Sequence, residues 1–382
     1  MKLAKGHSLI GERYELEIGP VAHGGHFVAR VVNALGESRV VFVRHALPGE
    51  RAVVEITEGG TADRFLRGDA VEILRPSPDR RLPECPYAGP GKCGGCDFQH
   101  VALSAQRELK ADVLREQLWR LAGISLDAVT GWQGVEPVPG DDHGQRWRTR
   151  QQYVDLPHGR GMRKHRSHDV ILVDDCLIAR RDAREPSPGV VRERVEAAGE
   201  TREFDVAADG FWQVHPGAPT VLVETVLGYL EPEAGESVLD LYAGVGLFAR
   251  FLAERVGSGG RVVAIEGDRA ASDLSRTNVP GVEAVTGDVG TALPLVSGDF
   301  DLVVLDPPRE GARRVVVEQV VARHPRAVAY VACDPAALAR DLGIFAEHGY
   351  TLQALRAFDL FPMTHHFECV ALVGPEAGSD AR

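Results

Sequence analysis

A chain of 382 residues exceeds one ordinary core and predicts two or three domains. Its 44% hydrophobic and 26% charged residues are those of a globular protein and exclude collagen, coiled-coil and disordered classes. A net charge of −12 argues mildly against nucleic acid as a partner, because phosphate contacts need Lys and Arg.

The opening residues, MKLAKGHSLIGERYELEIG, carry no continuous apolar leader. No later stretch approaches the roughly eighteen apolar residues of a membrane span. A cytoplasmic location, no membrane partner and a monomeric state are expected. From there to about residue 74 the chain alternates short β-rich runs (YELEIGPV, HFVARVVN, RVVFVRHAL, RAVVEITEG, AVEILRP) with glycine-containing breaks such as AHGGH. Five strands in so few residues predict a small OB-like barrel, an architecture that often binds oligonucleotides.

Residues 75 to 95 are rich in Pro, Gly and Cys and too irregular for a regular element unless a metal pins them. From Ser104 to Ala122, Leu109, Val113, Leu114, Leu118 and Leu121 recur at helical spacing and predict one apolar helix face. Residues 129 to 180 read as strand-rich, and REPSPG at 184 to 189 as a linker. Between Gly144 and His168, Arg146, Arg148, Arg150, Arg160, Arg163, Lys164 and Arg166 face only Asp155, a local basic footprint suited to RNA or to a solvated hairpin.

Beyond Phe211 apolar strands alternate with helical connections: 237–242, 261–267, 282–288, 301–308, 327–335 and 367–374. Near-continuous apolar strands joined by helices predict a doubly wound α/β domain on a parallel sheet. The polar tail, 376–382, is expected to be disordered.

In such a sheet the ligand sits beyond the carboxyl ends of the strands. The first strand ends in Asp240-Leu-Tyr242-Ala-Gly244-Val-Gly246-Leu247, where the glycines admit a ligand close to the backbone. Glu266 ends the second strand, placed for ribose hydroxyls, and Asp288 the third, placed for an adenine amino group. Together these predict an adenosine ligand, S-adenosylmethionine in preference to NAD. Helix capping would explain one of the carboxylates but not all.

The fourth strand ends in Asp306-Pro307-Pro308-Arg309-Glu-Gly311, a loop made rigid by two prolines. Cys333 ends the fifth, one residue before a helix start whose dipoles favour a thiolate. Glu368, just before the last strand, suits a general base, and His366 either relays that proton or simply packs.

With these residues in order the chain resembles the RNA uracil-5 methyltransferases. The resemblance rests on Cys85…Cys93-Gly-Gly-Cys96-Asp-Phe-Gln-His100, Phe211-Trp-Gln213-Val, Asp240-Leu-Tyr-Ala-Gly, Asp306-Pro-Pro-Arg-Glu-Gly, Tyr-Val-Ala-Cys333 and Phe-Pro-Met-Thr-His-His-Phe-Glu368. It implies an N-terminal TRAM barrel (1–74), a small central iron-sulfur and RNA-binding domain (75–96 and 129–210), and a Rossmann-like methyltransferase domain (97–128 and 211–375). It also implies 5-methyluridine as the product, in ribosomal RNA before transfer RNA, with Cys333 as nucleophile and Glu368 as base. The implied cofactor site is Gln213, Tyr242, Gly244, Gly246, Leu247, Glu266, Asp288 and Asp306.

Four cysteines, 85, 93, 96 and 176, serve zinc or an iron-sulfur cluster equally well by motif. The resemblance implies a 4Fe-4S cluster, with zinc the lesser alternative. Four positions depart from the family pattern: Ala332 and Asp334 in Ala332-Cys333-Asp334, where Ser-Cys-Asn is usual, His215 where the pattern has Asn, and Leu247 where Asn often follows the second glycine. A non-catalytic iron-sulfur RNA-binding module and an exocyclic-amine methyltransferase are the competing readings.

Overall fold

The computed structural model describes residues 6–32 and 36–376. The expected tail, but for Glu376, lies outside them. Among these residues no helix is long and apolar enough to cross a membrane.

The strands between Arg13 and Arg75 form one six-stranded sheet in which Arg13–Glu17 pairs with Arg51–Glu58, and Phe65–Arg75 lies between Arg51–Glu58 and Ser38–Arg44. The last strand begins five residues before the apolar pattern, at Phe65, because Gly68 lets two backbones close together. A β-carbon there would stand 2.7 Å from the Glu55 carbonyl oxygen. His26–Val32 pairs with the two-residue strand Val21–Ala22, which is too short to show in sequence.

A long helix, Leu103–Ala122, follows. Ala105, Leu109 and Val113 join the barrel core, whereas Leu114 and Leu118 join the core of the C-terminal half. The two sets are centred about 160° apart around the helix, so one element belongs to two hydrophobic cores. Leu121 stays half exposed.

The C-terminal half is built on an eight-stranded sheet. Its order is Glu283–Thr286, Arg261–Glu266, Ser237–Leu241, Leu302–Leu305, Ala327–Ala332, Glu368–Pro375, Tyr350–Asp359 and Val135–Pro137. The first five are mutually parallel, and the order reverses between Ser237–Leu241 and Leu302–Leu305. Glu368–Pro375 is antiparallel to both neighbours, a departure from the parallel sheet expected. The eight residues linking it to Tyr350–Asp359 are too few for a crossover helix and close a hairpin instead.

Val135–Pro137 completes the edge of this sheet. The hairpin Val190–Ala197 and Glu200–Ala207 packs Val195, Phe204 and Val206 into the same core. What remains between them is small: a three-stranded sheet (Val154–Leu156, Gly159–Arg163, Val170–Val173) and the pair Arg148–Arg150 with Ala179–Arg184. The cysteine loop is tied to it through a Cys93–Lys164 bridge.

One buried ion pair fastens the bridging helix. Lys110 Nζ donates to Asp359 Oδ1 at 2.5 Å and to the Phe361 carbonyl at 3.2 Å, with both side chains excluded from solvent. Removing one member strands a buried charge. Lys110→Met should cost about 3–5 kcal/mol in guanidinium unfolding, and adding Asp359→Leu should recover most of it. Equal stability of Lys110→Met and the parent would show that Asp359 is not held by this contact.

Candidate active site

The sheet order lays the strand-end residues in a row. Reading across the carboxyl ends gives Asp288, Glu266, Tyr242 with Gly244, Asp306, Cys333 and Glu368. Register brings the last two together. Ala332 is opposite Cys369, so Cys333 continues one strand where Glu368 begins its neighbour.

A single large cleft collects nearly all the expected site residues. Gln213, Tyr242, Gly244, Leu247, Glu266, Asp288, Asp306, Cys333 and Glu368 line it; Gly246 does not. Gly246 acts from behind, with φ +90° at the start of the helix Leu247–Val256 and a would-be β-carbon 2.6 Å from Val279 Cγ2. Tyr242 is held at φ +63°, a strained turn of the kind found where a chain bends around a ligand. Leu247 contributes only an apolar wall.

The carboxylates do two things at once. Glu266 Oε2 accepts from the Gly244 amide at 2.8 Å and Oε1 from the Asp268 amide at 2.6 Å, so it shapes the glycine turn and can still accept further bonds. Asp288 Oδ1 caps the one-turn helix Val289–Ala292 while lining the cleft. Asp240 is buried behind the turn, with Oδ2 accepting from the Ala249 amide and Oδ1 left without a partner.

Their burial has an electrostatic consequence. Desolvation, with Asp306 and Glu266 nearby, pushes Asp240 up to about 8. Burial and Glu266 push Asp306 up to about 7. Glu368 is raised well above the carboxylate range by burial and Asp306, against a lowering contribution from Arg309. The Cys333 thiol goes up to about 12, driven by burial, Glu368 and Asp306, with Arg309 opposing and Asp334 adding. The helix beginning at Pro335 therefore does not by itself make Cys333 a thiolate, contrary to the expectation from its position. The cleft is rich in carboxyl groups held towards their neutral forms, with Arg309 and Arg148 the cations among its lining residues.

The loop before Glu368 is fixed from outside the sheet. His365 Nδ1 is 2.6 Å from Asp97 Oδ2, and Arg44 reaches the other Asp97 oxygen. His366 stacks beside His365, lies 3.2 Å from an Arg309 nitrogen and is driven down to about 3 by burial, His365 and Arg309, so it is neutral. His215 lies outside the cleft, stacked on Trp147 with Nδ1 accepting from the Gly217 amide.

Cys85, Cys93, Cys96 and Cys176 line one separate cavity. The Gly95 amide points at Cys93 Sγ and Gln99 Nε2 at Cys96 Sγ. Burial raises the Cys93, Cys96 and Cys176 thiols.

The basic footprint is partly spent inside the molecule. Arg146 pairs with Asp175, Arg150 donates to the Gly210 and Asp209 carbonyls, Arg160 pairs with Glu185 and Arg166 with Glu58.

Residues 7–71 match the TRAM domain family, and residues 291–374 match the tRNA (Uracil-5-)-methyltransferase family. The 23S rRNA (uracil(1939)-C(5))-methyltransferase RlmD of Pseudomonas putida is 30% identical across 97% of this chain and 95% of its own. The chain belongs to the RNA uracil-5 methyltransferase family. An RNA methyltransferase of Streptomyces avermitilis is 45% identical across 96% of this chain and 99% of that relative. The crystal structure of the Pyrococcus abyssi tRNA (uracil-54, C5)-methyltransferase in complex with S-adenosyl-L-homocysteine shares the fold. Its TM-score is 0.67 at 20% identity, covering 94% of this chain and 99% of that one. The methyl donor of this S-adenosylmethionine-dependent family carries a sulfonium cation, a charge that suits a cleft lined by Glu266, Asp288 and Asp306.

That complementarity sets a pH dependence. Asp306 and Asp240, raised to about 7 and 8, are protonated below those values. A cation favours their ionised forms, so its binding releases protons and tightens as pH rises from 6 to 8. S-adenosylmethionine affinity should climb by up to about tenfold per pH unit per proton released, while S-adenosylhomocysteine, which lacks the sulfonium, should change little. Calorimetry of both ligands across this range checks it; parallel pH profiles would refute it.

Proposed function

We propose that the protein forms 5-methyluridine in RNA, with ribosomal RNA favoured over transfer RNA. The observation that carries this reading is the pairing of Cys333 and Glu368 on adjacent strand ends, inside the cleft that also holds the cofactor-type carboxylates. An exocyclic amine carries its own lone pair and needs neither residue. Carbon 5 of uracil is a weak nucleophile and needs both.

When bound, S-adenosylmethionine supplies a methyl group on a positively charged sulfur. Gln213, Tyr242, Gly244, Glu266, Asp288 and Asp306 would hold it, Glu266 at the ribose. Cys333, its proton lost to solvent, adds through sulfur to carbon 6 of the uracil, and the 5,6 double-bond electrons move into an enolate. Carbon 5 of that enolate takes the methyl group. Glu368 then removes the carbon 5 proton, the bond between carbon 6 and sulfur breaks, and the double bond returns with the Cys333 thiolate. Glu368 must be ionised to do so, which Arg309 favours. His366 is neutral and held beside Arg309, and serves the loop by packing.

The base must leave its stack to reach the strand ends. Phe211, exposed on the cleft wall, offers an aromatic face for it. Ribosomal RNA is favoured by the Pseudomonas putida relative, which matches over nearly the whole chain.

For the metal centre we infer a 4Fe-4S cluster on Cys85, Cys93, Cys96 and Cys176. The four thiols surround one cavity, and N–H groups aimed at two sulfurs suit thiolates. Such a cluster would staple the cysteine loop to the small sheet. Anaerobically purified protein should be brown with iron and sulfide in equal amounts; a colourless protein with stoichiometric zinc would overturn this assignment.

The reaction is tested by two substitutions. Cys333→Ala should abolish methylation and leave cofactor affinity within about twofold, because the thiol adds little binding. Glu368→Gln should allow addition and methyl transfer but trap a protein–RNA adduct that survives denaturing gels. Near-normal turnover by Cys333→Ala would return the amine reading to favour.

A further inference from the structure

The barrel reaches the nucleophile directly. The turn between Val21–Ala22 and His26–Val32 lies against both loops that carry the reactive pair. His23 Nε2 is 2.9 Å from Asp334 Oδ2, and Asp334 follows Cys333. Two residues on, Gly25 has φ +74°, and a β-carbon there would come 2.7 Å from the His365 β-carbon, in the loop leading to Glu368. This turn also walls a second cavity with Arg309, Cys333 and His366, so Cys333 is shared between that cavity and the large cleft.

Asp334 is held from two sides. Its Oδ1 accepts from the Ala336 and Ala337 amides and caps the helix Pro335–Glu347, leaving Oδ2 for His23. Burial acts to raise this carboxyl, but the His23 hydrogen bond and the two amides outweigh it and hold it below the ordinary range. An anion is thereby fixed beside the thiol that must ionise. The barrel places one imidazole on it.

We propose that His23 is a positioning residue for methyl transfer: as an imidazolium it neutralises Asp334, so that Cys333 is competent only with the barrel docked. This rests on Cys333 being the nucleophile. His23 faces Asp334 and, at longer range, Glu116 of the bridging helix. Cys333 faces Glu368, Asp306, Asp334 and Arg309. The Asp334 hydrogen bond raises His23 above its ordinary value, against burial, so its charge is complete below about 6.5 and is lost as pH climbs through the raised value. Thiol ionisation has the opposite dependence on pH.

Single-turnover methylation against pH tests this in four proteins: parent, His23→Ala, Asp334→Asn and the double variant. In His23→Ala the uncompensated carboxylate should lower the rate about three- to tenfold. That is the effect of one pKa unit on thiolate fraction, partly offset by the greater nucleophilicity of the more basic thiolate. The rising limb should move to higher pH, with the KM for RNA little changed. Asp334→Asn should by itself leave the rising limb near the parent's, since no anion then needs a partner. The double variant should recover the parent profile, because Asn still accepts from Ala336 and Ala337 without a charge.

An unmoved pH profile in His23→Ala, a loss seen only in KM, or a loss that Asp334→Asn does not rescue would overturn the proposal. The Glu368→Gln adduct separates the two claims. Without it the role of Cys333 itself fails, whereas an adduct with an unmoved His23→Ala profile removes His23 alone.

Discussion

The helix Leu103–Ala122 is the constraint on which the rest of the structure depends. A small barrel and a large α/β sheet have no reason to keep a fixed relation unless an element is buried in both, and here Leu109 and Val113 serve one core while Leu114 and Leu118 serve the other. The Lys110–Asp359 pair adds direction to that burial, since hydrophobic contact alone tolerates sliding and a buried charge pair does not. With the helix fixed, the turn at His23 falls on the loop that carries Cys333 and Asp334, and Asp97 falls on His365. The catalytic geometry is thus set by contacts between units far apart in the chain.

Within the cleft the molecule gives up stability to gain function. Asp240, Asp306 and Glu368 are buried or half-buried carboxyls with few hydrogen-bond donors, an arrangement that disfavours their charged forms. Such a site is preorganised for a cation and resists filling by water or an anion. Strained backbone at Tyr242 belongs to the same pattern.

What could be read from the sequence followed from how local its signal was. Strand-end residues were legible because a doubly wound sheet puts its chemistry at known positions, and the structure gathers seven of those eight in one cleft with Gly246 behind it, whereas Gln213 and Leu247 were implied by the family resemblance alone. The strand Tyr350–Asp359 escaped because its register shifts between Leu352 and Ala354, which breaks the alternation. Val135–Pro137 is too short to carry a pattern. His23, Asp97 and His365 act across 311 and 268 residues, and no local spacing encodes such a contact; AHGGH read only as a break. Arginine counting overstated the basic footprint, because pairing with Asp175, Glu185 and Glu58 is invisible until the chain is folded.

The bridging helix also imposes a timetable. Lys110 is made 249 residues before Asp359, the carboxylate it donates to. At roughly 5–20 residues per second that interval is about 12–50 s. The barrel strands, closed by contacts within 75 residues, can form early. Leu114 and Leu118 can already pack on the earlier helix Pro335–Glu347, but Lys110 stays without Asp359 until the hairpin Tyr350–Pro375 is synthesised. The same hairpin brings Glu368 to the cleft, so the barrel is finished well before the cleft is.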